Sequence, residues 1–181
     1  MKKSSILFTA LLVSATLSLT SCLNDLEDFM GDFSGSPAIA ELSESPSAAT
    51  GTVNREIIDP TKPLELKFRV GIAVAKPLDK ATTVTLAIDN ALVTAYNASY
   101  GLTGDDAAIP VPSAALSIST YDVTVPAGQL ETDWVMSIDA SKVPDIVSKV
   151  YVIPVKIVSA TNGVVVSGNF GTKIMRILAR N

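Results

Sequence analysis

The residues able to do chemistry in this chain are defined first by what is missing: its 181 residues include no histidine. A Ser-His-Asp nucleophile and any histidine-based metal site are therefore excluded. Hydrolysis of a glycosidic bond needs only two acids at a defined separation. The candidates are Asp89, Asp105, Asp106, Glu131, Asp133 and Asp139. Most fall at turns or on the outward positions of alternating segments, where a solvated surface acid is the expected reading, so no catalytic residue is expected. Asp105 and Asp106 after Gly104 are too few donors for calcium, which takes six to eight oxygens, and no metal site is expected. Gly71, Gly101 and Gly104 form no phosphate loop. What remains is non-covalent binding, for which exposed aromatic rings are the side chains to weigh. Trp134, Tyr96, Tyr100 and Tyr121 are the candidate ligand contacts.

The only cysteine, Cys22, closes the stretch "LSLTSC". Upstream lie Lys2 and Lys3 and then an apolar-rich run from Ile6 to Leu19. A stable transmembrane helix needs about 20 apolar residues, so this run is too short to span, and it fits a secretory signal. Leu19-Thr20-Ser21-Cys22 resembles the bacterial lipobox. That resemblance implies cleavage after residue 21 and a diacylglycerol thioether on Cys22, a covalent lipid and the only cofactor-like group expected. At ~0.8 kcal/mol per buried methylene, two or three acyl chains make a durable anchor. With its thiol bound to lipid, the chain has no disulfide to form.

Three segments follow: a cleaved signal over 1–21, a lipidated cysteine and acidic flexible tether over 22–37, and one domain over 38–181. The whole chain carries 14 basic and 18 acidic residues, a net charge of −4. Loss of Lys2 and Lys3 leaves 12 against 18, about −6. Such a surface has no electrostatic case for nucleic acid. Between Cys22 and Asn54 six acidic side chains occur without a Lys or Arg. That composition suits a solvated, self-repelling tether. It also resembles the signal that sends lipoproteins of Bacteroidetes to the outer face of the outer membrane, so the expected location is the outer membrane, facing the cell exterior.

The elements that must position the rings are mostly strands. "LELKFRVGIAV" (64–74) alternates apolar and charged residues, the pattern of a half-buried antiparallel strand. Residues 82–88, 122–125, 132–138, 151–160 and 171–179 continue the set. Pro126-Ala127-Gly128 and Asn162-Gly163 supply turns, and Pro154 points to an edge position or a bulge in its strand. "NALVTAYNASYG" (90–101) reads as a short helix with Asn90 as N-cap and Gly101 as stop, and residues 141–149 could hold one further turn. The pattern predicts an all-β fold, an immunoglobulin-like antiparallel β-sandwich with one or two short helices. On it, Trp134 is in phase with Met136 and Ile138, a core position more often than a ligand contact, and Tyr151 is placed in the core. Tyr96 and Tyr100 either pack the helix on a sheet or line a site; Tyr121 precedes a strand and could be exposed.

"AYNASYG" (95–101), "IPVPSAALSIS" (109–119), "VTVPAGQLETDWVMSID" (123–139) and "YVIPVKIVSATNG" (151–163) occur in that order. Together they resemble the domain of unknown function 1735 of Bacteroidetes surface lipoproteins, also found at the N-terminus of some chitinase-like endoglycosidases. The resemblance runs over roughly residues 37–178. It implies the sandwich fold, a surface lipoprotein context and an association with glycan utilisation, but not the glycosidase activity of larger relatives. The function expected is therefore a membrane-anchored, non-catalytic accessory to glycan capture. The alternative is a structural or protein–protein interaction module. The expected partners are the membrane, through the lipid, and a polysaccharide or another surface protein.

Overall fold

In the computed structural model, residues 35–43, 52–57, 59 and 61–179 are described. The signal segment, Cys22 and nearly all of the tether lie outside them. Eleven strands run in chain order: β1 (Ile39–Ser43), β2 (Thr52–Ile57), β3 (Leu64–Ala73), β4 (Thr82–Ile88), β5 (Ile109–Pro110), β6 (Leu116–Ile118), β7 (Asp122–Val125), β8 (Glu131–Ile138), β9 (Tyr151–Ala160), β10 (Val165–Val166) and β11 (Thr172–Ala179). Among the described residues one α-helix, α1 (Ala91–Tyr100), follows β4.

The strands form two sheets, a β-sandwich. One sheet has the order β10-β1-β3-β8-β6; the other has β2-β11-β9-β4-β7, with β5 alongside β9. The alternation of β3 is the reason its sheet can be buried on one face. Leu66, Phe68, Val70 and Ile72 are buried while Glu65, Lys67 and Arg69 are exposed. Opposite them in the core lie Val84 and Leu86 of β4, Ile153 and Val155 of β9, and Met175 and Ile177 of β11. At about 1.5–3 kcal/mol for each large apolar side chain fully buried, this layer is the main source of stability.

Three features depart from the sequence reading. The sandwich is not purely antiparallel, because β1–β10, β2–β11 and β5–β9 pair in parallel. β1 and β2 come before β3 and are brought beside strands from the far end of the chain, a placement that periodicity cannot reveal. Pro154 sits in β9, an interior strand, and not at an edge. It opposes Ile174 of β11. On its other side its carbonyl accepts from the Asp89 N–H at 2.9 Å, where β4 has ended and β5 has not begun. The missing proline N–H therefore faces a break in the ladder. Finally, Asn90 holds the N-cap position of α1 (φ −62, ψ −17), but its side chain makes no capping bond. Asp89 supplies that bond, its Oδ1 accepting from the Ala91 N–H at 3.1 Å.

The turn signals were legible. Gly128 (φ 76) closes the turn in which the Gln129 N–H donates to the Pro126 carbonyl. Asn162 and Gly163 both have positive φ, 59 and 72. Gly101 (φ 63) ends α1, donating to the last helical carbonyls. Residues Ala140–Lys142 form one 3-10 turn inside the second helical expectation, with the Asp139 side chain accepting from the Ser141 N–H. β9 does carry a bulge, the other alternative read from Pro154, but it lies at Val158 and not at the proline. Thr85 opposes Ser159 and Leu86 opposes Ile157, so Val158 has no partner and is exposed.

Candidate functional site

The position of α1 decides where the candidate rings go. The helix starts at Asp89, whose carboxylate both caps it and accepts from Lys156 Nζ of β9 at 2.6 Å. The Lys156 bond and then the Ala91 N–H hold the Asp89 carboxyl below its ordinary value. Val93 and Tyr96 of the helix are buried with Ala108 and Val152, and Ile174 of β11 packs against them. Asn97 fastens the next segment by a double bond to Ala108: its amide donates to the carbonyl at 2.9 Å and its oxygen accepts from the N–H at 2.8 Å. The helix is thus fixed on the outside of the second sheet.

Tyr96 and Tyr100, one helical turn apart, meet with ring centroids 4.8 Å apart and planes tilted by 47°. They line a groove of about 480 Å³ between α1 and β11 that also takes in Ser99, Thr52, Thr172 and Lys173. Tyr96 is 9% exposed and forms the floor; Tyr100 is 57% exposed and forms the wall.

Tyr121 and Trp134 come together elsewhere. Tyr121, 44% exposed, rims a hollow of about 340 Å³ lined by Ile88, Asn90, Pro110, Val111, Leu116 and Ile118, among others. Trp134 lies beneath it, centroids 6.0 Å apart, and is only 2% exposed. Its ring packs on Phe68 at 5.5 Å and its indole N–H donates to the Thr120 carbonyl at 2.6 Å. With its single donor satisfied and its faces covered, Trp134 is a core residue and not a surface contact. Tyr151 is likewise buried, its hydroxyl donating to the Pro144 carbonyl at 2.7 Å. Burial first, and then the charge of Asp145, push its pKa up.

Most of the acids singled out in the sequence are held in ion pairs. Asp89 is tied to Lys156, Arg69 pairs with Glu131 at 3.4 Å and approaches Asp133 at 4.0 Å, and Asp139 pairs with Lys142 at 3.1 Å. Hydrogen bonds from Ser141 and then Lys142 hold Asp139 low. A glycosidase general acid needs its pKa raised, and Asp89 and Asp139 are shifted the other way. Asp105 and Asp106 stand exposed on a 3-10 turn. Among the described residues no group of three or more metal-ligating side chains occurs, and no helix is long and apolar enough to cross a membrane.

A family model described as an N-terminal domain matches residues 38–164. No curated protein matches the chain. Solved structures share its fold at low identity. A candidate carbohydrate-binding protein from Bacteroides ovatus is 11% identical with a TM-score of 0.60, over 77% of this chain and 36% of that one. A multidomain protein from the same species that includes DUF1735 is 12% identical with a TM-score of 0.58, over 80% and 45%. EndoBT-3987 of Bacteroides thetaiotamicron, solved with a Man5GlcNAc product, is 19% identical with a TM-score of 0.55, over 71% and 28%. The chain thus spans less than half the length of each of these three structures.

Proposed function

The chain belongs to this family of N-terminal domains, the domain of unknown function 1735, and from that premise we propose that it is a non-catalytic accessory to glycan capture. In this reading a lipid on Cys22 holds it at the outer membrane, with the sandwich facing the cell exterior. One observation carries the glycan role: an exposed tyrosine ring stands over a groove edged by the hydroxyls of Ser99, Thr52 and Thr172. Sugars offer an apolar ring face and a rim of hydroxyls, and this surface is matched to both. The ion-paired acids support a domain that binds without cleaving.

The test is a glycan array probed with the full chain. Selective binding without release of reducing ends is the expected result; a blank array removes the glycan role. The anchor is tested separately. Cys22→Ala should move the protein out of the membrane fraction and abolish its cleavage by protease added to intact cells. Unchanged fractionation of that variant would refute the lipid attachment.

A protein-docking role is the second reading, favoured by the apolar lining of the Tyr121 hollow. Its walls of Ile88, Pro110, Val111, Leu116 and Ile118 could take an apolar side chain, with Asn90 and Ser113 beside them as polar partners. Cross-linking on intact cells after a blank array would bring out such a partner.

A further inference from the structure

We infer that the groove between α1 and β11 is the glycan site, and that it takes the end of a neutral oligosaccharide, one pyranose ring stacked on Tyr100. The inference rests on the glycan reading above and narrows it to one surface and one class of ligand. Of the two hollows set out above among the described residues, this one joins its exposed tyrosine to several hydroxyl side chains. Among the described residues no protein group hydrogen-bonds the hydroxyl of Tyr96 or of Tyr100, so both stay available to a ligand. The Ser99 hydroxyl donates to the Ala95 carbonyl at 2.8 Å, which leaves its oxygen free to accept from a sugar hydroxyl.

The shape limits the ligand to an end. A flat polysaccharide surface is met by several coplanar exposed rings, whereas here the two planes are tilted by 47° and Tyr96 is nearly covered. Tyr100 is left as the one stacking face, with Tyr96 supporting it from below. One stacked ring with hydroxyls around it is a single-sugar subsite.

Charge limits the ligand to a neutral one. Lys173, the only cation lining the groove among the described residues, is 4% exposed and already engaged within the protein. Its charge is not presented to solvent, and the chain as a whole is negative at −4. A uronate or sulfated chain would have to give up hydration there without gaining a presented cation.

The experiment is titration of the full chain in detergent with the methyl glycosides of glucose, galactose, mannose and N-acetylglucosamine, their neutral oligomers, and oligogalacturonate as the acidic probe. Wild type should bind a neutral probe. Tyr100→Ala should weaken it roughly tenfold or more, Tyr100→Phe should retain most of it, and Thr172→Val should weaken it without abolishing it. Because Tyr100 is exposed, the melting temperature of Tyr100→Ala should match wild type, which separates loss of the ring from loss of the fold. Neutral binding that survives Tyr100→Ala, or that is lost in Tyr121→Ala instead, overturns the site and leaves the glycan role standing. Preference for oligogalacturonate overturns the ligand class. Wild type that binds no probe here and nothing on the array removes both.

Discussion

At the scale of single residues, Trp134 and Tyr100 show how one residue class divides between core and surface. Trp134 is enclosed and Tyr100 is presented, although both are aromatic and both were candidates. Trp134→Phe keeps most of the packing against Phe68 but leaves the Thr120 carbonyl without its donor. It should cost about 1–3 kcal/mol of stability in chemical denaturation and leave glycan affinity unchanged. A loss of binding with stability intact would return Trp134 to the ligand surface. Asp59, Asp89 and Asp139 give the pH dependence. Each is lowered from the ordinary 3.8, Asp59 chiefly by the Thr61 hydroxyl. A carboxyl whose pKa is lower in the folded state stabilises the fold above its unfolded value, and that contribution fades as pH falls through the folded one. Stability should therefore be flat down to about pH 4 and fall below it. For Asp89→Asn the gap in melting temperature from wild type should be full at pH 7 and close in acid; a gap that persists at pH 2 would mean the ion pair contributes nothing.

At the scale of elements, the strands easiest to read are those with one wet and one dry face. β3 and β8 announce themselves because Phe68 and Trp134 alternate with Arg69 and Asp133. β2, "TVNREI", has buried Val53 and Ile57 but no regular alternation, and its pairing with β11 depends on residues far along the chain. The two-residue strands β5 and β10 are too short to carry a period at all. The candidate site was half legible for the same reason. Tyr96 and Tyr100 lie four apart on a helix that the sequence marks out, so their meeting could be expected. Thr52 and Thr172 join them only through the β2–β11 pairing, for which there is no local signal. Two substitutions probe elements directly. Gly128→Ala meets nothing within 4 Å but must hold φ near 76, so it should cost about 1–2 kcal/mol through the backbone alone. Pro154→Ala should cost about 1–3 kcal/mol, because the position is buried and the restored N–H faces the break between β4 and β5 without a strand acceptor. A larger loss would mean that the ring itself is packed at that break.

At the scale of the whole molecule, both sheets are completed by strands from opposite ends of the chain. β1 lies between β10 and β3, and β2 is the outermost strand beside β11. Such pairings cannot form until the long intervening chain has been ordered, so refolding should take milliseconds to seconds. The fluorescence of Trp134, the chain's only tryptophan, would follow it; microsecond refolding would contradict this view of the assembly. The same two parallel pairings have a mechanical consequence. A chain held at one end and pulled at the other draws β1 and β2 against β10 and β11 along their own length. Their hydrogen bonds then bear the load together, in shear, and do not open one at a time like a zipper. Under such a pull these parallel pairings would bear load first, and the rest of each sheet would be shielded until they part.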